Sequence, residues 1–292
     1  MKTNAAEFDL RTPATLGEAL ALLGEPQGKW RPFAGGTDLM VLLESGNLMH
    51  KNFVNLRGFK ELRGIEVSPQ FVVLGALTTF SAIQENELIK KEFPCLVQAA
   101  AQVGAIAIQN RGTIGGNIGN ASPAADSPPA LLIYDAEIEL MSTSGARWVS
   151  YDSFHTGYKK TLLGAGELIS KIRLPRTTRA SGRTVHYFRK VGARKAQAIS
   201  KVSVAGWAHV EKGVIKEVRL ALGSVAPTVV RGKNTENLLK GKVLSPALYE
   251  EARSILGGEI SPISDIRSTD VYRKRIAQNL LSEFLEHVGL DQ

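Results

Sequence analysis

Apolar residues recur at intervals of three and four near both ends of the chain, which is the spacing of an amphipathic helix. The first such segment predicts a helix that begins after Thr15 and ends at Gly24, because Thr15 and Glu18 form a capping box and a glycine commonly ends a helix. Near the C-terminus the same spacing predicts helices over 246–256, ended by a glycine pair, and over 270–288. Shorter helices are predicted at 38–44, 81–87, 94–103 and 127–134.

Apolar runs rich in β-branched residues predict the strands. A short strand leads through Trp30, and further strands are predicted at 51–56, 71–76, 136–141, 147–149, 167–174, 184–190, 202–210 and 214–222. Helices and strands are interleaved up to Pro175, whereas three strands and then two helices follow it, so we expect an α+β fold. The pattern divides into a first subdomain (1–56), a second (57–178) and a C-terminal domain (183–290), with the polar segment 176–182 as the candidate linker.

Two glycine-rich segments interrupt this pattern. The longer, 111–126, holds four glycines with the neutral donors Thr113, Asn117, Asn120 and Ser122, and the shorter, 31–39, joins a Gly-Gly pair to a threonine. Glycine lets a ligand approach the main chain closely, and successive N–H groups in such turns bind anions. One segment of this kind is equally consistent with a surface turn, but two suggest opposite sides of a site for a polyanion such as a pyrophosphate. Neither contains the P-loop or the G-x-G-x-x-G pattern.

The composition narrows the possible functions. The single cysteine, Cys95, permits no internal disulfide, cannot supply the roughly four thiolates of an iron–sulfur cluster, and is best interpreted as an inert core residue. The five histidines lack metal-ligand spacing, so no metal site is predicted. No apolar run approaches the roughly 20 residues of a membrane helix and no signal-peptide core is visible, so we expect a cytoplasmic protein. The net charge of +8 is compatible with nucleic acid, an acidic partner or an anionic ligand.

Four motifs in order give the chain a family resemblance. They are Ala34-Gly-Gly-Thr-Asp-Leu39, Thr113-Ile-Gly-Gly-Asn117 continuing through Ser122 to Asp126, Gly157-Tyr-Lys-Lys-Thr-Leu-Leu163 with Glu167-Leu-Ile169, and the run from Phe188 to Ile199 with Lys201-Val-Ser203. In these motifs the chain resembles the FAD-binding subunit of molybdenum hydroxylases, the xanthine dehydrogenase and carbon monoxide dehydrogenase family. The last two motifs look more like the xanthine dehydrogenase branch.

The resemblance implies a vanillyl-alcohol-oxidase (PCMH-type) FAD-binding fold of two α/β subdomains, followed by an α+β domain with a three-stranded antiparallel sheet. It also implies non-covalent FAD, since neither glycine-rich segment contains a histidine. Asp126 would bind the flavin side of the cofactor, Ile169 would pack against the isoalloxazine ring and Lys190 would lie near the adenine half. Tyr158 would act catalytically at the ring edge, where a nicotinamide could approach. The remaining implied FAD-binding residues are Phe33, Ala34, Gly35, Gly36, Thr37, Asp38, Leu39, Thr113, Gly116, Asn117 and Ser122.

Each of these side chains also has a purely structural interpretation. Asp126 could cap the helix that starts at Ser127, and Tyr158 could be a buried, hydrogen-bonded tyrosine. Ile169 is a core residue under either interpretation. Lys190 belongs to a basic stretch, and such a stretch is usually a solvated face.

The resemblance assigns the other redox centres to partners. An iron–sulfur small subunit would carry two [2Fe–2S] clusters, a large subunit would carry the molybdenum cofactor, and this chain would pass electrons through FAD to NAD, with oxygen or a quinone as alternatives. A purine such as xanthine is the leading substrate. Two alternatives remain open: a self-contained flavin oxidoreductase of the same superfold, and a basic nucleic-acid-binding module, which the scarcity of aromatic residues disfavours.

Overall fold

The computed structural model describes residues 5–177 and 181–290. Residues 178–180 of the predicted linker therefore lie outside the described part of the chain. The helices are α1 (Leu16–Leu23), α2 (Thr37–Glu44), α3 (Phe80–Glu85), α4 (Glu87–Glu92), α5 (Pro94–Ala101), α6 (Ile106–Gln109), α7 (Ile114–Asn120), α8 (Ser127–Ile133), α9 (Lys233–Leu239), α10 (Pro246–Glu259) and α11 (Asp270–Gly289).

The strands are β1 (Asp9–Arg11), β2 (Arg31–Phe33), β3 (Asn52–Asn55), β4 (Ile65–Val67), β5 (Phe71–Gly75), β6 (Glu137–Ser142), β7 (Gly145–Ser150), β8 (His155–Gly157), β9 (Lys160–Thr161), β10 (Leu168–Pro175), β11 (Arg183–Val191), β12 (Val202–Glu211), β13 (Val214–Gly223) and β14 (Val230–Arg231). They form three larger sheets and the small β8–β9 hairpin. Each larger sheet has its own cluster of buried apolar side chains.

The N-terminal unit is a parallel sheet of order β1-β3-β2 with α1 packed against it. The predicted N-cap is present, because Thr15 Oγ1 accepts a hydrogen bond from the Glu18 N–H at 3.2 Å; the Glu18 carboxylate accepts from the Ala14 N–H at 2.9 Å, one residue before the position expected for a capping box. The predicted stripe of α1 is buried through Ala19, Leu20 and Leu23. These side chains pack in a common core with Trp30 of the segment that leads into β2.

The middle unit is an antiparallel sheet of order β4-β5-β10-β6-β7, with α3, α5 and α8 among its helices. The predicted hairpin is confirmed, since β6 and β7 pair from Glu137↔Ser150 to Ser142↔Gly145. Helix α4 was not predicted. The predicted helix 81–87 ends at Glu85, and a new helix, α4, begins directly after Asn86. The Asn86 side chain caps α4 by accepting from the Ile89 N–H at 3.0 Å.

The C-terminal unit is an antiparallel sheet of order β11-β12-β13-β14 with α9, α10 and α11. The three predicted strands are present, and the two-residue β14 extends their sheet to four strands. The prediction that α10 stops at the glycine pair is wrong, because the helix continues to Glu259. A Cβ atom at Gly257 would lie 2.9 Å from Gln278 Nε2 of α11, so this glycine permits close contact between the two helices.

The C-terminal sheet lies between the middle unit and α11. Strand β12 is buried from Val202 to Val210 and contributes to two different cores. Ala205 and Trp207 pack into the core of the middle unit, whereas Val204 and Ala208 pack into the core beneath α11. A strand that is covered on both faces is expected to be mainly apolar, and in β12 only Ser203 and His209 are polar between Val202 and Val210.

Candidate cofactor-binding site

The two glycine-rich segments lie against each other. A Cβ atom at Gly35 would fall on the backbone carbonyl group of Arg111, and one at Gly112 would lie 3.5 Å from Thr37 Oγ1. A Cβ atom at Gly116 would lie 3.8 Å from the Cβ atom of Ala34. Segments that are distant in the chain therefore form adjacent walls of one site, as the sequence predicts.

The first segment presents backbone donors. Within residues 5–177 and 181–290, the backbone N–H groups of Ala34, Gly35 and Gly36 donate to no backbone carbonyl group. Gly36 is the N-cap of α2, so no side chain caps the first turn of that helix. Its φ of +76° is in the left-handed region, and a Cβ atom at this position would lie 2.6 Å from Cζ of the Phe33 ring. Free amide groups at the positive end of a helix are a site for a phosphate or carboxylate group.

The second segment is a helix and not the anion-binding turn that the sequence predicts. Thr113 is the N-cap of α7, and its Oγ1 accepts from the Gly116 N–H at 3.1 Å. The Ile114 and Gly115 N–H groups donate to the carbonyl groups of Thr78 and Ala76 at 3.0 and 2.9 Å. Because these donors are already used, the interpretation of residues 111–126 as a second set of converging amides is wrong.

Helix α7 instead presents a surface that carries no side chains at two glycine positions. Gly116 and Gly119 are exposed and lie three residues apart on one helix face. A Cβ atom at Gly119 would lie 3.7 Å from Ile169 Cδ1 on β10. Asn117, half-buried on the same helix, accepts from Ser127 Oγ at 2.7 Å through its carbonyl oxygen. This glycine surface beside the free amides can receive a flat ligand that carries a pyrophosphate, so the residues present fit FAD.

The other predicted residues of these segments have structural roles as well. Phe33 packs edge-to-face on Phe53 with ring centroids 6.4 Å apart. Asp38 is exposed in the first turn of α2, where an acidic side chain stabilises a helix without any ligand. Leu39 is half-buried on the same helix. Ser122 Oγ accepts from the Ala124 N–H at 3.3 Å and thereby holds the turn that follows α7.

Tyr158 lies in the turn of the β8–β9 hairpin. Its side chain is 66% exposed, so the interpretation as a buried tyrosine is wrong. The adjacent Lys159 donates to Asn120 Oδ1 at 2.8 Å, which fastens this turn to the last residue of α7. Ile169 belongs to the core of the middle unit and is 5% exposed at the edge of the glycine surface. Tyr158 and Ile169 therefore both lie towards the C-terminal part of α7.

Asp126 and Lys190 are in contact. Lys190 Nζ donates to Asp126 Oδ2 at 2.7 Å and to the Gln102 carbonyl group at 2.9 Å, and Ser200 Oγ donates to Asp126 Oδ1 at 2.6 Å. The side chains of Lys190 and Asp126 are 6% and 9% exposed. Lys190 is therefore not part of a solvated face, and Asp126 makes no capping hydrogen bond to α8. The resemblance implies that these residues serve different halves of the cofactor, and in the structure their side chains contact each other directly.

Burial raises the pKa of the Asp126 carboxyl group, while the ammonium group of Lys190 and the hydroxyl group of Ser200 act in the opposite direction. The short contact to Lys190 is the geometry of a carboxylate–ammonium pair. Such a pair is stable in a buried place only when its remaining hydrogen-bonding groups are satisfied, and Gln102 and Ser200 provide those bonds. The pair fastens the segment that follows α7 to strand β11 of the C-terminal unit.

Sequence reasoning missed Ser200, which falls between two of the recognised motifs and was assigned no role. Asn120 was predicted as a neutral donor of the glycine-rich segment, but its contact with Lys159 was not predicted. The signal for Ser200 was its position directly before Lys201-Val-Ser203.

The comparisons with known proteins agree with this arrangement. Residues 6–177 match a family profile described as the FAD binding domain in molybdopterin dehydrogenase, and residues 186–288 match the CO dehydrogenase flavoprotein C-terminal domain. The first match alone covers more than half of the chain. The chain therefore belongs to the family of FAD-binding subunits of molybdenum hydroxylases, as the four motifs predicted, and it is a subunit of an FAD-dependent oxidoreductase.

The relatives of this chain are named for different activities. The chain is 31% identical over 274 residues to the xanthine dehydrogenase FAD-binding subunit of Escherichia coli O157:H7. The aligned region covers 93% of this chain and 92% of the relative. It is 32% identical over 283 residues to the glyceraldehyde dehydrogenase medium chain of Sulfolobus acidocaldarius, with 97% and 99% covered. A chain of the carbon monoxide dehydrogenase structure from Hydrogenophaga pseudoflava has a TM-score of 0.92 at 27% identity, with 99% and 98% covered.

Proposed function

We propose that this chain carries the FAD of a molybdenum hydroxylase and transfers electrons from the [2Fe–2S] clusters of a small partner subunit to NAD. A molybdopterin-binding large subunit would oxidise a purine such as xanthine. When bound, FAD supplies the redox chemistry that connects these steps. The residues of this chain supply binding, orientation and access to the site.

The observation that carries this proposal is the run of free backbone amides at Ala34, Gly35 and Gly36 beside the glycine surface of α7. These donors would bind the pyrophosphate, with Thr37 and Asn117 as neutral side-chain donors nearby. The family shown by residues 6–177 supports FAD as the pyrophosphate ligand. No basic side chain is required, because amide groups at a helix N-terminus bind phosphate groups themselves.

We assign the remaining roles by position. The segment 33–39 with Thr113, Gly116 and Asn117 would hold the pyrophosphate and the ribityl chain, and Ile169 would pack against the flavin ring. Asp126 and Lys190 would form a buried ion pair that supports the walls of the site. Ser122 would act by shaping the turn that follows α7.

Tyr158 supports the assignment of NAD as acceptor. Its exposed ring lies on a turn that is held at the end of α7 by the Lys159–Asn120 hydrogen bond. An aromatic ring in this position can pack against an incoming nicotinamide. The xanthine dehydrogenase relative supports a purine substrate, and the glyceraldehyde dehydrogenase relative of similar identity gives the alternative to be assayed against it.

An absorption spectrum of the purified chain, with and without added FAD, tests the cofactor. We expect a flavin spectrum that NADH bleaches under anaerobic conditions. The Tyr158→Ala variant should retain FAD but be reduced by NADH at least about 10-fold more slowly, because only the approach of nicotinamide is affected. A colourless protein that FAD does not reconstitute would reject the proposal, and a flavin that NADH does not reduce would reject NAD as the acceptor.

We also propose the boundaries 1–56, 57–178 and 183–290 for the two FAD-binding subdomains and the C-terminal domain. The three larger sheets support this division, because the strands of each sheet come from one of these segments. Limited proteolysis should cleave first at the proposed linker, because the ordered segments on both sides of it belong to different sheets.

A further inference from the structure

The segment between α10 and α11 presents apolar side chains to solvent. Ile266 is 97% exposed, and Ile263 and Val271 on either side of it are 67% and 71% exposed. A groove of about 540 Å³ lies beside them, between Pro262 and the first turns of α11. Single exposed aliphatic residues are common, but several in one short segment form the kind of patch that marks an interaction site.

This segment is ordered by its own hydrogen bonds. The Asp265 carboxylate accepts from the Arg267 N–H and from Arg273 Nη2, both at 2.8 Å. Ser264 Oγ donates to Asp270 Oδ1 at 2.6 Å and accepts from the Asp270 N–H at 2.9 Å. Because the segment is already fixed, a partner that binds it pays little additional ordering entropy.

The same segment is connected to the cofactor site through buried hydrogen bonds. Arg273, 4% exposed, donates through Nη1 to the carbonyl groups of Lys201 and Ser224 at 2.9 and 3.0 Å. Ser224 Oγ donates to the Ser200 carbonyl group at 3.0 Å, and Ser200 Oγ donates to Asp126. The exposed segment is therefore a rigid extension of the structure that supports the site.

Basic side chains surround these apolar side chains. Arg267 and Arg275 are exposed beside them, and Lys201 Nζ lies 5.3 Å from the ring centroid of the exposed Tyr272. Lys274 is also exposed along this groove, the nearby Asp265 is neutralised by Arg273 and Arg267, and the exposed Asp270 carboxylate accepts from Ser264 Oγ, so basic groups outnumber acidic ones. A complementary surface would be acidic around an apolar cleft. A second copy of this chain fits poorly, because a two-fold interface would place the same basic groups opposite each other.

We propose that this C-terminal docking surface (Ile263, Ile266, Arg267, Val271, Tyr272 and Arg275) binds the iron–sulfur partner subunit through an acidic face of that subunit, with Ile266 inserted in an apolar cleft. The inference rests on the proposed function, which requires an electron donor to dock on the body that holds the flavin. Ile266 is the central contact, and the arginines set the orientation and the association rate.

Binding of the purified iron–sulfur subunit to the FAD-loaded chain, measured by calorimetry at two salt concentrations, tests the proposal. We expect Ile266→Asp and Arg275→Glu each to weaken binding at least about 10-fold, and Arg275→Glu to reduce the salt dependence. The matched control is Val67→Asp, a substitution of an equally simple aliphatic residue, 53% exposed on β4 of the middle unit. This control should bind within about 2-fold of the unchanged chain.

Three results would overturn the proposal: normal binding by Ile266→Asp, equal weakening by Val67→Asp, or no binding by the unchanged chain. Sedimentation of the chain alone gives a further test, because a dimer that Ile266→Asp dissociates would identify a second copy as the occupant. The flavin absorbance of each sample separates the two proposals. A flavin-containing chain that binds its partner elsewhere rejects only this surface, whereas a chain that cannot hold FAD rejects the proposed function.

Discussion

At the scale of single residues, the glycines of the site have different physical roles. Gly36 adopts a positive φ, so it is needed for the backbone conformation that starts α2. Gly35 is needed because the neighbouring segment at Arg111 leaves no room for a Cβ atom. Gly115 similarly lies against Ala76, where a Cβ atom would be only 2.6 Å from the Ala76 Cβ. The glycine content thus reflects close contact between segments more than freedom of the chain.

Gly35→Ala should separate the two walls of the site. The added methyl group would overlap the Arg111 carbonyl group, so the segment 34–36 must move and its free amides must lose their common direction. We expect the affinity for FAD to fall at least about 10-fold and the free energy of unfolding to fall by about 1–3 kcal/mol. Fluorescence titration with FAD and urea unfolding measure the two effects.

The matched control for this substitution is Gly58→Ala. Gly58 has no atom within 4 Å of a built Cβ and has no positive φ, so alanine fits there without displacement. This variant should bind FAD as the unchanged chain does. Unaltered FAD affinity in Gly35→Ala would show that the contact between the two segments does not shape the cofactor site.

The Asp126–Lys190 pair shows why a charged residue is difficult to assign from sequence. A lysine in a basic stretch is usually solvated, yet β11 places Lys190 opposite Ser203 of β12 and directs its ammonium group to a buried carboxylate. The cost of desolvating both charges is offset by their short contact and by bonds to Gln102 and Ser200. Asp126 and Gln102, which Lys190 contacts, are 64 and 88 residues away from it in the sequence.

At the scale of elements, α5 of the middle unit is connected to β11 of the C-terminal unit by a buried polar chain. The Cys95 N–H donates to the Tyr134 hydroxyl oxygen at 3.1 Å, and this hydroxyl group lies 3.0 Å from His186 Nδ1. Since the Tyr134 oxygen accepts from Cys95, its proton is available for a neutral Nδ1. Burial lowers the pKa of His186 to about 4 and raises that of the Cys95 thiol to about 12, so both are uncharged at neutral pH.

The stability of the chain should therefore decrease in acid. The pKa of His186 is about 4 in the folded state, below its ordinary value of 6.5, so the unfolded chain binds the proton first as the pH falls. The contribution of His186 is constant above about pH 6.5, decreases between about pH 6.5 and pH 4, and does not change further below that. Allowing for solvent screening, we expect a loss of about 1–2 kcal/mol, measured as the free energy of unfolding in urea at each pH.

His155 provides the comparison for this experiment. Burial also lowers its pKa to about 4, but it lies on β8 and bonds to Tyr151, away from the α5–β11 contact. His186→Gln and His155→Gln should each remove part of the acid-dependent loss, and the two effects should add because the sites are separate. An unchanged pH dependence in His186→Gln would contradict the assignment of a buried, neutral imidazole.

The elements that the sequence predicted correctly are those with local signals. Helix α1 has its threonine N-cap, the β6–β7 hairpin has alternating residues around a Ser-Gly turn, and α11 has a buried apolar stripe. Helix α7 was missed because glycine has low helix propensity, and the bonds that stabilise it come from Thr78 and Ala76. The meeting of the two glycine-rich segments was predictable from their chemistry, whereas the Asp126–Lys190 contact depended on tertiary packing.

At the scale of the whole molecule, β12 joins two cores. Its alternate side chains are shared between the middle unit and the core beneath α11, so the C-terminal sheet is a layer of the structure and not a separate attachment. Asp126, the segment after α7 and the docking surface all connect to this layer through Ser200 and Ser224. Among the described residues, no helix is long and apolar enough to cross a membrane.

A cavity in this layer should therefore destabilise both units together. Trp207 on β12 is 4% exposed, packs in the core of the middle unit and has Arg219 4.8 Å from its ring centroid. We expect Trp207→Ala to lower the free energy of unfolding by about 3–5 kcal/mol and to increase hydrogen exchange in α8 and β13 alike, because both pack on β12. The control Trp148→Ala removes a half-buried ring from the edge strand β7 and should cost much less. Faster exchange confined to β13 would show that the C-terminal unit opens independently and that β12 does not couple the two cores.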